Sequence, residues 1–163
     1  MSAVMRVYVA PDSDLAAFAG APRTLRMWLH FPHALPPVSL GGHWQALDTI
    51  LANEPSWRSA SALRPQNADW TYPFAADRGA YALSSTSTGY LLHTIDQIER
   101  PTIEAYVALK LGLSEHTVKQ LSTRTDELLL YLARLRASCA LAVGKGYGIL
   151  LALWEETGGV SAA

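Results

Sequence analysis

Hydrophobic positions follow their clearest pattern in the last third of the chain. Apolar and small residues recur there at intervals of four, three, four and three residues, which is the spacing of one helix face: Leu128, Leu132, Leu135, Cys139 and Ala142. Thr123 and Asp126 have the spacing of a capping box, which predicts where this helix begins. Gly144 is predicted to end it in a left-handed conformation.

Two further patterns predict strands near opposite ends of the sequence. Residues 5–10 alternate, with Met5, Val7 and Val9 on one side, which is typical of a strand. Residues 147–154 form a short apolar run bounded by glycine and acid, which predicts a strand buried on both faces. We expect both strands to lie in one sheet.

Helical spacing also recurs between these two strands. Apolar stripes, caps and breaking residues predict helices over five stretches, residues 12–19, 44–51, 84–100, 101–111 and 114–121. Asp12 or Ser13 is the predicted cap of the first helix, and Ser114 is the predicted cap of the last. Residues 80–83 predict a short strand.

One segment carries two patterns at once. In residues 24–31, apolar side chains at every second position fit a strand, whereas Leu25, Trp28 and Leu29 fit one helix face. The prolines that follow favour an extended strand. Residues 32–42 are predicted to form a loop.

The composition is that of one folded domain. The chain has 163 residues, of which 50% are hydrophobic and 17% are charged, so it can bury a core of its own. Together with the predicted elements, this indicates a single α+β domain over residues 1–157, with a small sheet that holds the N- and C-terminal strands. Residues 158–163 are predicted to be a frayed tail.

Charge and hydropathy narrow the classes of partner. The net charge of −1 gives no basic surface for nucleic acid, so none is expected as a partner. No run of about 18 apolar residues occurs and the first ten residues lack a signal-peptide pattern, so we expect a cytoplasmic protein without a membrane partner. Cys139 is the only cysteine and is predicted to be a core residue. No cofactor is expected.

The order of elements resembles the YfbM-like family, a bacterial family of unknown function. Residues 43–51 resemble the family's tryptophan–leucine helix, and residues 130–151 resemble its closing tyrosine–leucine helix and apolar strand. Residues 80–98 resemble the segment between them. The family usually carries a lysine two residues before the tryptophan, where this chain has Gly42, and the tyrosine–proline segment before its final helix is not evident here. The resemblance implies an α+β fold and no reaction.

Histidines and serines offer two candidate chemistries, and both are weak. His30, His33 and His43 lack the spacing of a zinc site and no cysteine joins them, so we expect no metal. A serine, His93 and Asp96 could supply a catalytic triad, but no nucleophile-elbow sequence is present. We therefore expect the serines at 84–87 to cap a helix, and we assign no catalytic residue.

Aromatic residues give the preferred hypothesis. Residues 56–77 contain two prolines and no sustained period, which predicts a long irregular connection, and Trp57, Trp70 and Tyr72 lie in it. Aromatic residues in such a region either cover the core, which is the more frequent case, or anchor a protein partner. We therefore predict a non-catalytic protein-interaction module that binds through these three residues; neutralisation of a partner, as in toxin–immunity pairs, is one version.

The alternative hypothesis is a small-ligand-binding protein or an enzyme. Its pocket would lie near His43 and Trp44, because His43 follows two glycines at the start of a predicted helix.

Overall fold

A computed structural model of the chain describes residues 3–30, 33, 35–57, 61–63, 68–75, 78–111 and 117–155. Within these residues, five strands and six helices follow one another in the order β1 (Ala3–Ala10), α1 (Asp12–Ala19), α2 (Pro22–His30), β2 (Val38–Gly41), α3 (Trp44–Ala52), β3 (Trp70–Ala75), β4 (Arg78–Leu83), α4 (Ser85–Asp96), α5 (Arg100–Leu111), α6 (Thr117–Lys145) and β5 (Gly148–Glu155). The predicted tail at 158–163 lies outside the described residues.

The strands form one sheet in the order β2-β1-β5-β4-β3, and every neighbouring pair is antiparallel. β1 pairs with β5 along its whole length, from Ala3 opposite Glu155 to Ala10 opposite Gly148. The prediction that the first and last strands share a sheet is therefore confirmed, and the two are direct neighbours.

The sheet has a hydrophobic core on each face. Met5 and Val7 of β1 belong to the larger core, where they join buried residues of α3, α4, α5 and α6. Tyr8 and Ala10 belong to the smaller core, which packs against α1 and α2. β5 lies at the centre of the sheet, so its residues from Ile149 to Leu153 are buried on both faces, as predicted. The α+β class is confirmed.

The closing helix buries the face that its spacing predicts. Leu128, Leu132, Leu135, Cys139 and Ala142 all belong to the larger core and are at most 6% exposed. Burying each leucine stabilises the fold by about 1.5–3 kcal/mol relative to leaving it exposed.

The predicted ends of that helix are wrong. α6 is continuous from Thr117 and includes residues 117–121 of the predicted short helix, so Thr123 lies inside α6 rather than at its start. Ser114 lies outside the described residues. At the other end Gly144 stays helical and Gly146 takes the left-handed conformation, with φ +68°. The backbone N–H of Tyr147 then donates to the Ala142 oxygen at 2.8 Å, which closes the last turn as a Schellman motif.

The prediction of a strand over residues 24–31 is also wrong, because residues 22–30 form α2. Leu25 and Leu29 are one helical turn apart, and both are buried in the smaller core. Met27, which a strand would place on the same face, is 60% exposed. Proline is tolerated at the first helical position, so Pro22 begins α2 without loss of a hydrogen bond.

Two edge strands lie in segments that were predicted to be irregular. β2 occupies the end of the predicted loop at 32–42 and pairs with β1, and β3 occupies part of the predicted connection at 56–77 and pairs with β4. Pro73 is compatible with β3 because an edge strand has one unpaired side. Both strands depend on a partner strand for their hydrogen bonds.

The structure defines three boundaries in the middle of the chain that the sequence also predicts: the cap of α4, the end of α4 and the start of α5. Ser84 caps α4, since its hydroxyl accepts from the Ser87 backbone N–H at 3.3 Å. α4 ends at Asp96, short of the predicted end at residue 100, and α5 begins at Arg100 with Pro101 in its first turn, as predicted. In the described part of the chain, none of these helices is both long and apolar enough to cross a membrane.

Candidate functional site

A cleft of about 360 Å³ opens between α4 and the turn that follows α3. The side chains that line it are hydroxyl-bearing, aromatic, aliphatic or imidazole groups: Ser56, Trp57, Leu83, Ser87, Tyr90, His93 and Thr94. Ser87, Tyr90 and Thr94 are spaced by three and four residues, so they share one face of α4. This cleft is the candidate functional site.

The Trp57 wall of the cleft is fixed by a chain of hydrogen bonds. The indole Nε1–H of Trp57 donates to the backbone oxygen of Ser61 at 2.9 Å. Asp48 of α3 holds residues 61–63 in place. Its carboxylate accepts hydrogen bonds from the Ser61 hydroxyl and from the backbone N–H groups of Ala62 and Leu63. The orientation of the indole is therefore set before anything binds.

The floor of the cleft joins the turn to α4. Thr94 is 1% exposed, and its hydroxyl donates to the backbone oxygen of Tyr90 at 3.1 Å. The Ser56 hydroxyl lies 3.3 Å from the same Thr94 oxygen. Because the Thr94 proton is directed at Tyr90, Ser56 is the donor of this second bond.

The rim of the cleft is open to solvent. The Tyr90 side chain is 67% exposed, although large aromatic rings are usually mostly buried. His93 lies one turn further along α4 and is exposed as well. An exposed ring beside a fixed indole is an arrangement that can bind another molecule.

Two carboxylates anchor the N-terminal end of α4. Asp12 accepts from the Ser85 backbone N–H at 2.9 Å and from the Ser85 hydroxyl at 2.9 Å. Asp69 accepts from the Ser84 backbone N–H at 2.8 Å. Negative charge is favourable at this end of a helix dipole, so both carboxylates stabilise α4.

The predicted cap of α1, Asp12 or Ser13, is wrong. The cap position of that helix is Pro11, which makes no side-chain hydrogen bond. The carboxylate of Asp12 caps α4 instead, because it lies against the Ser85 backbone N–H.

Ser84, Ser85 and Asp96 of the weak triad hypothesis have other contacts. The hydroxyl of Ser84 caps α4 and that of Ser85 bonds Asp12, as expected for capping serines. Asp96 forms an ion pair with Arg136 of α6, with 2.6 Å between Oδ1 and Nε. This pair raises the pKa of Arg136. Asp96 therefore binds the neighbouring helix.

The predicted histidine group does not converge. His33 packs against Trp28, with 4.2 Å between ring centroids, beside the smaller core. His43 stacks on Tyr131 of α6, with 4.6 Å between centroids, beside the larger core on the other face of the sheet. Across the described ranges, no three His, Cys, Asp or Glu side chains are grouped so as to hold a metal ion.

The residues predicted for the two binding hypotheses lie in different places. Trp57 lines the cleft, whereas Trp70 and Tyr72 lie on the edge strand β3, opposite Ala82 and Ala80 of β4. A role for these residues in partner binding stays a prediction.

His43 and Trp44, the residues of the predicted ligand pocket, are not among the described residues that line the cleft. Trp44 is 5% exposed, and its Nε1–H donates to the Ala3 backbone oxygen at 3.0 Å. His43 stacks on Tyr131, and the Arg134 guanidinium carbon lies 5.0 Å from the centroid of the same ring. A pocket near His43 stays a prediction.

Cys139 is a core residue, as predicted. The thiol is fully buried, and this burial raises its pKa to about 12. It therefore remains a thiol at neutral pH, and the thiolate needed for nucleophilic attack does not form.

Comparison with known proteins finds a solved structure with a similar fold. The order of strands and helices defines an α+β protein. The chain matches the crystal structure of YfbM from Escherichia coli, described as a protein of unknown function, with a TM-score of 0.64 and 12% sequence identity. The match covers 93% of this chain and 99% of that chain. At this identity the likeness shows the fold alone, so the predicted YfbM-like fold is confirmed and family membership stays a prediction.

Neither the comparison with protein-family models nor the comparison with curated proteins gives a match.

Proposed function

We propose that this protein is a non-catalytic protein-interaction module whose partner binds at the cleft between Trp57 and α4. The observation that carries the proposal is the exposed Tyr90 ring beside the fixed Trp57 indole. Tryptophan and tyrosine are enriched among the residues that dominate binding energy at protein interfaces. A rigid aromatic wall also lowers the entropic cost of binding, because its side chain is ordered beforehand.

The proposed binding surface contains one residue that the sequence predicts, Trp57, and one that it does not, Tyr90. Trp57 was predicted as a partner contact, and Tyr90 joins it from α4. Trp70 and Tyr72 remain predicted contacts on β3, whose partner strand β4 ends at Leu83 in the cleft. Binding that neutralises a partner protein is one version of the proposal.

Affinity capture with two matched variants tests the proposal. Tyr90→Ala removes an exposed ring from the cleft, and Leu109→Ala removes an 86% exposed side chain from α5. Neither change should alter the fold, because neither side chain is buried. We expect a partner that the parent and Leu109→Ala capture equally and that Tyr90→Ala loses by at least about tenfold, as for a residue that dominates an interface.

Two results would contradict the proposal. One is a set of captured proteins that is the same for Tyr90→Ala and Leu109→Ala. The other is a partner that this protein converts chemically on mixing, which mass spectrometry of the partner would detect.

A second candidate, a small-ligand-binding protein, is supported by the size of the cleft. Its volume of about 360 Å³ lies within the range of small-molecule pockets, roughly 300–1,000 Å³. This candidate places the ligand beside Trp57 and α4, whereas the sequence hypothesis placed it near His43.

A further inference from the structure

The lining of the cleft restricts the charge of its occupant. Among the described residues, the seven side chains that line it carry no formal charge when His93 is neutral. An ion placed against Trp57 and Leu83 would lose water without gaining a counter-charge from the described lining residues, which is unfavourable. The lining therefore favours an uncharged group.

The walls restrict its shape. The Trp57 indole and the Tyr90 ring both line the cleft, and Leu83 adds an aliphatic surface. Aromatic rings pack well in offset or edge-to-face contact with another ring. Walls of this kind therefore suit a flat aromatic group.

The remaining hydrogen-bonding capacity lies on α4. The hydroxyls of Ser56 and Thr94 are engaged with each other and with the Tyr90 backbone. Ser87 accepts from the Ser84 hydroxyl at 3.4 Å, so its own O–H proton is available as a donor. Neutral His93 offers one ring nitrogen as an acceptor. An occupant with a hydroxyl group could therefore accept from Ser87, and a donor on the occupant could bond His93.

We infer that the cleft receives an uncharged phenol ring, and specifically a tyrosine side chain of the partner protein. This inference rests on the proposed function, because it names the group of the partner that enters the same cleft. A free phenolic molecule has the same chemistry, and the experiment below separates the two sources.

The first part of the test uses p-cresol as the probe and NMR as the readout. The indole N–H signal of Trp57 is identified by its loss in Trp57→Phe. We expect p-cresol to shift this signal saturably with millimolar affinity, as is usual for so small a ligand. Toluene, which lacks the hydroxyl, should bind at least about threefold more weakly, and p-toluate, which is charged, weaker still.

Two serine variants make the test specific for the hydroxyl. Ser87→Ala should weaken p-cresol binding at least about threefold, the effect of one lost hydrogen bond, and leave toluene binding unchanged. Ser122→Ala, which changes an exposed residue of α6, should leave both unchanged. Equal binding of p-cresol and p-toluate, or no effect of Ser87→Ala on p-cresol, would overturn the inference.

The second part separates the two sources of the ring. N-acetyltyrosinamide should displace the captured partner, and N-acetylphenylalaninamide should do so at least about threefold less well, because it lacks the hydroxyl. Binding of p-cresol without displacement of the partner would overturn the tyrosine assignment and indicate a free phenolic ligand.

Different experimental results would contradict the tyrosine inference and the proposed function. If p-cresol does not bind but Tyr90→Ala still loses the partner, the inference is wrong and the proposed function stands. If Tyr90→Ala keeps the partner, the proposed function is wrong whatever p-cresol does.

Discussion

Gly148 begins β5 at a point where three parts of the chain meet. A Cβ atom there would overlap the backbone oxygen of Leu83, and it would lie 2.8 Å from Leu15 Cδ1 and 2.9 Å from Asp12 Oδ1. Leu83 cannot move aside freely, because β4 pairs with β5 at this end. Gly144, four residues earlier in α6, has open space around the same position.

These two glycines give opposite predictions. Gly148→Ala should lower the free energy of unfolding by at least about 2 kcal/mol, because it overpacks a backbone contact. Gly144→Ala should raise it by about 0.5–1 kcal/mol, because alanine is favoured over glycine in a helix. Urea denaturation measures both, and a Gly148→Ala protein as stable as the parent would show that β4 does not pack as described.

His33 gives a prediction about pH. Its ring lies against Trp28 and edge-on to Tyr8, and burial lowers its pKa from the ordinary value of 6.5. Below pH 6.5 the unfolded chain therefore binds a proton more readily than the folded chain does. Stability contributed by neutral His33 is complete above pH 6.5 and is lost as the pH falls through the lower folded pKa.

The melting temperature at about pH 7.5 and about pH 5.5, on either side of the ordinary histidine pKa, tests this prediction. The parent should lose more stability between these two values than His33→Gln does, because glutamine does not titrate. Equal losses in the two proteins would show that His33 does not contribute to the acid sensitivity.

α4 is the helix on which the cleft depends, and it is held from outside its own sequence. Asp12 lies 73 residues before Ser85 and binds both its backbone N–H and its hydroxyl. Asp14 lies on the same short helix as Asp12 but is exposed. The two carboxylates therefore differ in their contacts although they are close in sequence.

Asp12→Ala should lower the free energy of unfolding by about 1–2 kcal/mol, because it removes charged acceptors from the end of α4. Asp14→Ala should change it by less than about 0.5 kcal/mol, as is usual for exposed positions. Chemical denaturation of both variants checks the difference. Equal effects would mean that the Asp12 bonds do not support α4.

Some elements could be predicted from local sequence and others could not. The buried face of α6 and the strands β1 and β5 follow from the spacing of apolar residues, which burial enforces directly. The apolar residues of α2 fit two periods and the prolines after it favour a strand, whereas the packing of Leu25 and Leu29 selects the helix. β2 and β3 form through backbone pairing with a neighbour, which leaves little signal in their own side chains.

The cleft was predictable only in part for a similar reason. Trp57 could be selected as an aromatic residue outside a regular element. Tyr90 and Thr94 could not, because their role depends on a contact between Ser56 and Thr94, which are 38 residues apart. The sequence did contain one usable signal, a row of hydroxyl-bearing residues at helical spacing on α4.

Over the residues that the structure describes, the molecule is a five-stranded sheet with helices on both faces, and its two faces differ. α1 and α2 cover the smaller core, whereas α3, α4, α5 and α6 pack around the larger one. The cleft lies on the side of α4, where the turn after α3 approaches it. The proposed interaction therefore uses a surface that the larger layer of helices supports.

Hydrogen–deuterium exchange of the complex with the captured partner tests the location of this surface most directly. We expect slower amide exchange over residues 54–57 and 85–94 on binding, and unchanged exchange over α2 at residues 22–30. Protection confined to α2, or to β2 at residues 38–41, would contradict it.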